Sequence, residues 1–421
     1  MRARLAKNPL PVVLFTVFVD LLGLGILIPV IPQLLANPAS NYYIFAKSVP
    51  ISHGYIVLGY LAAIFPLMQF VATPILGQLS DKFGRKKILA ISLAGTSASY
   101  FVFALGIVTK NIPLLFISRA FDGITGGNIA VAQAAVADVT PPEKRARNFG
   151  LIGAVFGLGF TAEPYVGGKL SDPSIVHWFN ATTPFLFAGI LAALNVVFVL
   201  TLFPETLTNL SHHVQIKWTK SIQNIIHAYT YRELKAYFVT IFLFWSGFSF
   251  FTTFFGVFLI KRFGFTQGNI GDFFAYVGLW IVFTQAVVTR FIAKRFREYQ
   301  VLRATYFGIA AALLAYFLPR VWWQLLFITP FMATFNGLTQ ANSTALVSRS
   351  VDSKIQGEIL GINASVMALG QSIPPILSGY IAASLFAEAP IVVAAVVIFA
   401  AGVVFNLFYR PIHFKHPAHT E

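Results

Sequence analysis

Four ionisable side chains fall inside long apolar stretches of the sequence: Asp20, Arg119, Asp122 and Glu163. An ionisable residue in the hydrocarbon core of a membrane costs about 2.5–3.5 kcal/mol on insertion scales, so such residues are functional candidates by default. Burial favours the neutral form of a carboxyl group, whereas a nearby arginine favours the ionised form. Three acids beside a single cation cannot all be neutralised, which predicts a carboxyl group that exchanges a proton.

We expect Arg119 to pair with one acid while another, Asp20 or Asp122, titrates. Asp20 and Asp122 each lie roughly 14 Å from one end of their stretch, near its middle, at 1.5 Å per residue. Arg119 is one helical turn from Asp122 on the same face. The alternative is a permanently ionised structural network, and for Glu163 a structural role is an equal alternative.

The surrounding elements are apolar helices. Of 421 residues, 57% are hydrophobic and 11% are charged, against about 25% charged in soluble domains. A transmembrane helix needs about 20 apolar residues, and the sequence predicts twelve spans: Pro11–Leu35, Tyr55–Leu79, Lys87–Val108, Pro113–Ala137, Arg147–Leu170, Thr183–Pro204, Tyr237–Ile260, Gly271–Ile292, Leu302–Pro319, Trp322–Ser348, Gly357–Leu385 and Ala389–Tyr409. This composition excludes a soluble enzyme, and the lack of cysteine excludes disulfides and thiolate metal sites.

The basic residues predict the orientation of the spans. Of 30 Lys and Arg, 23 fall at the end that holds both termini, and the net charge is +15. The positive-inside rule therefore places both termini in the cytoplasm. This distribution explains the basic excess without nucleic acid, and it predicts anionic lipid of the inner leaflet as the electrostatic partner.

A polar segment divides the chain into two six-helix bundles, residues 1–204 and 237–421, joined by a cytoplasmic linker, 205–236. Within the linker, Val214, Trp218, Ile222 and Ile225 can share one helical face. This pattern predicts an amphipathic helix on the inner membrane surface. A solvated linker is the alternative.

The two halves repeat each other in sequence. Asp122-Gly-Ile-Thr in span 4 matches Asn336-Gly-Leu-Thr in span 10 at an offset of 214. Pro164 and Gly168 in span 5 match Pro375 and Gly379 in span 11 at an offset of 211. Parallel repeats of this kind are typical of transporters whose two bundles rock about a site at the membrane midplane.

The loop between spans 2 and 3 reads Gly77-Gln-Leu-Ser-Asp-Lys-Phe-Gly-Arg-Lys-Lys87. It resembles the loop 2–3 signature of the major facilitator superfamily, G-x-L-x-D-[RK]-x-G-[RK]-[RK]. We expect Gly77 to allow close helix approach, Gly84 to form a tight turn, and Asp81 to take an ion pair and cap a neighbouring helix. Alternatively, the basic residues serve topology alone. The predicted gating motif comprises Gly77, Asp81, Gly84, Arg85, Lys86, Asp138 and Arg145.

The second half carries a degenerate copy of this loop around Thr289–Arg297, with Ala293 in place of Asp81 and Phe296 in place of Gly84. We therefore expect the gating contacts of the first half to have no equivalent in the second half.

Further motifs resemble the drug/proton antiporter branch of that superfamily, in particular its tetracycline-efflux-like members. Span 1 carries an acidic residue, Asp20, followed by Pro29-Val-Ile-Pro32, and span 5 carries an antiporter-type motif: Gly153, Gly157, Pro164, Gly167 and Gly168. The sequence departs from the family pattern at Glu163, where the family has glycine, and at Ser99, near the aspartate of tetracycline exporters. Span 9 also lacks an acid, and these departures argue against tetracycline as the substrate.

The resemblance implies a cavity lined by spans 1, 4, 7 and 10, with contributions from spans 2 and 8. Polar and aromatic side chains in these spans are the candidates for substrate contact, although interhelical hydrogen bonding is an alternative role for the polar ones. They are Gln69, Asn128, Gln133, Trp245, Phe248, Gln285, Asn336 and Gln340.

The resemblance implies an all-α, multi-pass protein of a cell membrane, expected to be a bacterial inner membrane, that works as a monomer. Its expected function is proton-coupled export of small amphipathic compounds by alternating access. One alternative is transport of a single physiological solute, such as a siderophore, sugar or amino acid; another is a receptor or scaffold without flux. We expect no catalytic activity, cofactor or metal, although His413, His416 and His419 are open to a weak metal site as well as to a solvated tail.

Overall fold

The computed structural model describes residues 10–21, 25–141, 145–207, 216–231, 234–349 and 356–410. Every regular element within these ranges is helical, which confirms the all-α prediction. We keep the numbering of the spans and give the helices found in each. The outer end is the end at which spans 1 and 2 join, and the inner end is the one at which spans 2 and 3 join.

The first half forms six helical spans, of which the first and fourth are broken. Span 1 consists of Leu10–Leu21 and Leu27–Leu35, and span 4 consists of Ile112–Thr125 and Asn128–Asp138. The other spans of this half are continuous: span 2 is Ile51–Phe83, span 3 is Arg85–Val108, span 5 is Arg145–Leu170 and span 6 is Thr183–Leu202.

A short helix, Lys220–Thr230, lies between the halves, and we call it the linker helix. Span 7 is Lys235–Phe263, span 8 is Gln267–Phe283 followed by a π-helical turn, Thr284–Val288, and by Thr289–Ala293, and span 9 is Glu298–Ala315. Span 10 is Leu325–Arg349, span 11 is Gln356–Ser372 with Pro374–Ser384, and span 12 is Ala389–Phe408.

Seven helical segments of the described part are both long and apolar enough to cross a membrane: Ile51–Phe83, Arg85–Val108, Thr183–Leu202, Lys235–Phe263, Gln267–Ala293, Gly361–Ser384 and Ala389–Phe408. The breaks in spans 1 and 4 divide apolar stretches that the sequence shows as continuous. Each break lies close to an acid predicted to be functional, Asp20 or Asp122.

Local sequence sets several helix boundaries. The Asn111 side chain accepts a hydrogen bond from the backbone N–H of Leu114, 3.2 Å away, and so begins span 4. Span 7 ends at Gly264, which has a left-handed φ of 67° that glycine adopts without strain. Thr266 then caps span 8 by accepting from the N–H of Asn269 at 3.3 Å.

Two glycine crossings join the halves near the outer end. A Cβ atom at Gly168 of span 5 would lie 2.7 Å from the Gln267 carbonyl oxygen at the start of span 8. In the matching crossing, a Cβ atom at Gly379 of span 11 would lie 2.7 Å from the Tyr55 carbonyl oxygen of span 2. Glycine is required at both places because the helix backbones are in contact.

Polar contacts reinforce this outer closure. Lys169 of span 5 forms an ion pair with Asp272 of span 8 at 2.8 Å. Gln33 of span 1 donates to the Phe265 carbonyl at 3.1 Å, and a buried apolar cluster beneath them includes residues of both halves, among them Leu34 and Phe254. The two bundles are therefore in contact across the outer end.

The second half has its own aromatic core. A chain of rings follows span 7 from Phe244 through Phe251 and Phe255 to Phe258, and it packs against Tyr316 of the loop after span 9. Such rings bury large apolar areas, so this half is stabilised mainly by packing.

Candidate functional site

A buried ion pair lies in the outer helix of span 4. Arg119 Nη1 is 2.5 Å from Asp122 Oδ2, and the two residues are 7% and 1% exposed. The three-residue spacing places both side chains on one face of the helix. The Arg119 guanidinium also lies over the Phe65 ring of span 2, 4.4 Å from its centroid, and Ser99 and Thr96 of span 3 interact with the Asp122 side chain.

The pair leaves hydrogen-bonding capacity unused. Arg119 Nε is buried and has no hydrogen-bond partner among the described residues. A buried charge pair is retained at a net cost unless its remaining donors and acceptors are satisfied. This guanidinium can therefore take a further acceptor, from the protein or from a ligand.

Span 4 breaks at Gly126 and Gly127, one turn after Asp122. The Gly126 carbonyl oxygen, freed by the break, accepts a hydrogen bond from Gln69 Nε2 at 2.9 Å. A Cβ atom at Gly127 would lie 2.9 Å from the Cα atom of Thr73, so span 2 packs directly on the break. Gln69, predicted as a cavity residue, here holds the break in place.

Glu163 contacts span 1. Its carboxylate is buried and accepts a hydrogen bond from the backbone N–H of Gly25, just before the second helix of span 1. One turn later, a Cβ atom at Gly167 would lie 2.8 Å from the Cα atom of Ile26. The glutamate that departs from the family pattern thus contacts the broken segment of span 1.

Asp20 lies in the last turn of the first helix of span 1, shortly before Gly25. Its side chain is outside the described part of the structure. Gly25, which Glu163 contacts, follows Asp20 by five residues in the sequence. The structure thus places Glu163 against Gly25 and Asp122 beside Arg119.

A second charge network lies at the inner end. Arg85, which is buried, forms ion pairs with Asp81 at 2.6 Å and with Asp138 at 3.0 Å. Its Nη1 atom also donates to Ser80 Oγ at 2.6 Å. Spans 2, 3 and 4 therefore meet at a single guanidinium. The side chain of Arg145, also predicted for this motif, lies outside the described residues.

Glu205, which the sequence analysis missed, caps span 3. Its Oε1 accepts from the backbone N–H of Arg85 at 2.9 Å, and its Oε2 accepts from that of Lys86 at 3.1 Å. Gly84 has φ of 95°, and a side chain there would overlap the Glu205 carboxylate. An acid at a helix N-terminus is stabilised by the free N–H groups and the helix dipole. The available signal was an acid that directly follows span 6 on the basic inner face.

One expectation for this motif needs correction. Asp81 was expected to take an ion pair and to cap a neighbouring helix; it forms the ion pair, with Arg85, and among the described residues the cap of span 3 is Glu205. Gly77 was expected to allow close helix approach, yet a Cβ atom there would meet no described atom within 4 Å.

The residues of the span 5 motif lie along one helix. Gly153 and Gly157 lie within this helix. Pro164 lies next to the outer crossing, where its carbonyl oxygen would be 2.8 Å from a Cβ atom at Gly271.

The predicted cavity residues of span 4 differ in environment. Asn128 is fully buried, and both polar atoms of its amide lack a hydrogen-bond partner among the described residues. Gln133, further along the same helix, is exposed. An unsatisfied buried amide is costly, so Asn128 is a strong candidate for binding a water molecule or a ligand.

In the second half, the predicted cavity residues are mostly packed. Phe248 is buried among the rings of span 7, and Trp245 packs edge-on against it at 5.8 Å. Asn336 is buried and accepts from Gln340 at 3.4 Å, while Gln285 is half-buried at the π-helical turn.

The degenerate loop of the second half is shifted by one position from its predicted register. Gly84 directly precedes the helix of span 3, and Arg297 directly precedes that of span 9, which gives an offset of 213. The outer crossings relate Gly59 to Gly271 at an offset of 212. The π-helical turn between these points supplies the additional residue. Lys294, rather than Ala293, therefore stands at the position of Asp81, and Arg297, rather than Phe296, at that of Gly84.

This arrangement of two helical bundles with buried charges has clear relatives. The Major Facilitator Superfamily model matches residues 13–373, most of the chain. The chain belongs to the major facilitator superfamily.

Among curated members of this superfamily, the chain is 32% identical over 376 residues to the class C tetracycline resistance protein of Escherichia coli, covering 88% of this chain and 89% of that protein. It is 28% identical to multidrug resistance protein 2 of Bacillus subtilis (strain 168), covering 87% of each. The crystal structure of the human organic anion transporter MFSD10 (TETRAN) aligns with a TM-score of 0.71 at 21% identity, over 94% of this chain and 98% of that one.

Membership of the superfamily identifies the chain as a multi-pass membrane protein and agrees with the prediction that it is not an enzyme. The superfamily fold has twelve spans, and the described residues form twelve helical spans when each interrupted span is counted once.

Proposed function

We propose that this chain is a proton-coupled exporter of small amphipathic compounds that works as a monomer in a bacterial inner membrane. The observation that carries the proposal is the concentration of buried ionisable groups in one half. Arg119, Asp122 and Glu163 are all buried in the first half, and the equivalent span of the second half has Asn336 where Asp122 stands. The names of the tetracycline and multidrug resistance relatives support export.

The two charged groups have separate roles in this proposal. In this proposal Arg119 pairs with Asp122 when that carboxyl group is ionised, and protonation of the acid releases the guanidinium for another partner. Glu163 accepts a hydrogen bond from Gly25 of span 1, five residues after Asp20. Glu163 also lies on the same helix as Pro164 and Gly168, which form the outer crossing with span 8. A change of protonation in span 1 is thereby linked to closure between the halves.

The proposed path for substrate runs along span 4. Asn128 offers an unsatisfied amide just inward of the break, and Arg119 Nε offers an unsatisfied donor in the helix outward of it. Both groups can donate hydrogen bonds to a polar substituent, while the aromatic rings nearby, such as Phe65, favour an amphipathic body.

The test is transport by the full chain in vesicles with an imposed pH gradient, following both protons and a panel of amphipathic compounds that includes tetracycline. Asp20→Asn is expected to abolish gradient-driven transport while leaving the protein folded. Asp122→Asn and Glu163→Gln are expected to alter its pH dependence. Glu388→Gln, an acid-to-amide change at the outer end beside Lys261, is the matched control. Full transport with unchanged pH dependence in all three variants would refute proton coupling through these residues.

A further inference from the structure

The linker helix has its polar and apolar faces arranged in an unusual way. Ser221 and Asn224 are turned inward and are 2% and 5% exposed. The apolar side chains that point outward are more than half exposed: Ile222, Ile226 and Tyr229, together with Trp218 two residues before the helix. A helix on the surface of a soluble protein shows the opposite arrangement. The sequence analysis expected Ile225 on the apolar face, but Ile225 is half-buried against the core of the second half.

The inward face of the linker helix bridges the two halves. Ser221 Oγ donates to the Phe70 carbonyl oxygen of span 2 at 2.6 Å, and Asn224 Nδ2 donates to Ser365 Oγ of span 11 at 3.1 Å. Before the helix, Gln78 of span 2 accepts from the backbone N–H of Lys217 at 2.8 Å. Spans 2 and 11 are the pair that cross tightly at Gly59 and Gly379 nearer the outer end.

The depth of these contacts matches the inner boundary of a bilayer. Phe70 lies about five helical turns after Ile51, where span 2 begins, and Ser365 lies about five turns before Ser384, where span 11 ends. At 1.5 Å per residue both contacts lie about 28 Å from the outer end, close to the roughly 30 Å thickness of the hydrocarbon core. Exposed Trp and Tyr side chains are favoured at that depth.

Basic residues border the outward face. Lys217 is exposed just before the helix, Lys220 begins it, and Lys235 follows it with its ammonium group 5.6 Å from the Tyr229 ring. Cations beside an apolar helix face are complementary to the anionic headgroups and acyl chains of the inner leaflet. The partner that this surface fits is therefore anionic lipid.

We propose that the linker helix is a lipid-anchored wedge. Anionic lipid holds its outward face, and its inward face occupies a position between spans 2 and 11 at the inner boundary, where it is hydrogen-bonded to both spans. When the bundles rock so that the outer crossing opens, these two spans approach each other at the inner end, and the wedge must leave its position. The wedge therefore favours the conformation that is closed at the outer end, and lipid charge regulates that preference.

The test measures the outer-end distance in the full chain. The sequence contains no cysteine, so cysteines replacing Ile51 of span 2 and Leu385 after span 11 can carry the only two spin labels. Distances are compared in vesicles of phosphatidylcholine with and without phosphatidylglycerol. This measurement needs neither substrate nor a proton gradient, so it stands even if the proposed transport activity fails.

We expect phosphatidylglycerol to increase the short-distance, outer-closed population. The inward-face double variant, Ser221→Ala with Asn224→Leu, should lower the ratio of closed to open molecules about tenfold, as loss of two hydrogen bonds predicts. Lys217→Gln with Lys220→Gln should remove the lipid dependence. The matched control is Leu194→Ser, an exposed apolar position on span 6.

Two results would overturn the proposal. One is an equal distance distribution in the two lipid mixtures for the unaltered helix, which tests the lipid anchor without any substitution in the wedge. The other is an unchanged distribution in the inward-face double variant, provided that the variant elutes as a folded monomer.

Discussion

In the first half, Arg119 and Asp122 form a buried ion pair on span 4, whereas the equivalent positions on span 10 are occupied by Ala333 and Asn336. The packing around these positions is nevertheless shared. Thr125 lies 3.0 Å from Thr96 of the neighbouring span, and its equivalent, Thr339, lies 2.8 Å from Thr305. Both halves thus have a threonine pair between neighbouring spans, although the partner threonines, Thr96 and Thr305, differ in register by about one helical turn. Only the first half adds a buried ion pair beside the threonines.

The difference indicates that the two halves have different roles. The glycine crossings, on which the bundles would rock, occur in both halves. Among the described residues, the buried charged side chains, Arg85, Arg119, Asp122 and Glu163, all lie in the first half. The second half instead carries an aromatic core along span 7. The predictions below test this difference, from the largest expected effect to the smallest.

The largest effect should come from making span 4 resemble span 10 in part. Arg119→Ala leaves Asp122 buried without its cation, and breaking a buried pair typically costs about 3–5 kcal/mol. The free energy of unfolding in detergent should fall accordingly. Arg119→Ala combined with Asp122→Asn reproduces the uncharged pattern of the second half and should recover most of that loss, without recovering proton-dependent transport.

The double variant decides whether charge or packing matters at this position. A double variant as unstable as Arg119→Ala alone would mean that the guanidinium acts by packing on Phe65 rather than through charge.

The two glycine crossings should respond equally. Gly168→Ala and Gly379→Ala each place a methyl group against a backbone carbonyl oxygen, and overpacking of this kind typically costs about 1–3 kcal/mol. Both changes should open the outer end. A cysteine replacing Ala387, which is 1% exposed in the shared outer core, should then react faster with a water-soluble maleimide.

Gly361→Ala is the control for the crossings, since a Cβ atom there meets no described atom within 4 Å. A strong effect at one crossing and none at the other would break the equivalence of the halves.

A smaller difference is expected at the helix caps of the inner loops. Glu205→Gln removes a charge from the N-terminus of span 3 and should lower the free energy of unfolding by about 1 kcal/mol, less at high salt. In the second half, Gln300 accepts from the backbone N–H of Arg297 at 2.9 Å, and Gln300→Ala should cost less and show little salt dependence. Thermal unfolding at two salt concentrations measures both, and equal salt dependence would contradict the assignment.

The smallest effects should come from the threonine pairs. Thr125→Val and Thr339→Val each remove one interhelical hydrogen bond, which in membrane proteins averages about 0.6 kcal/mol. The two losses of stability, measured by thermal unfolding, should be equal within error. A markedly larger loss for Thr125→Val would show that this pair also supports the neighbouring Asp122.

Much of this organisation follows from sequence because the signals are local. The apolar stretches identify the spans, and the three-residue spacing of Arg119 and Asp122 identifies their pairing. The contacts that were missed join distant segments: Glu205 with Arg85, 120 residues apart, and Glu163 with Gly25, 138 apart. Spacing along one helix gives the face of a side chain, but not which helix lies opposite that face.

The breaks in spans 1 and 4 were missed for a related reason. Gly126 and Gly127 are compatible with a continuous helix, and the break is stabilised by Gln69 from another span. The residues of the ion-pair network around Arg85 were predicted, because they belong to the gating motif. The acid that caps span 3 was not predicted, because it is Glu205, which follows span 6.

The π-helical turn in span 8 has a practical consequence for exchanging parts between the halves. Each extra residue rotates the following helix by about 100°, since an α-helix has 3.6 residues per turn. A chimera that grafts the charged loop between spans 2 and 3 onto span 8 must therefore delete one residue within Thr284–Val288, or the grafted aspartate and arginine will face different neighbours. The residue offset between equivalent positions of the two halves therefore increases by one at this turn, from 212 to 213.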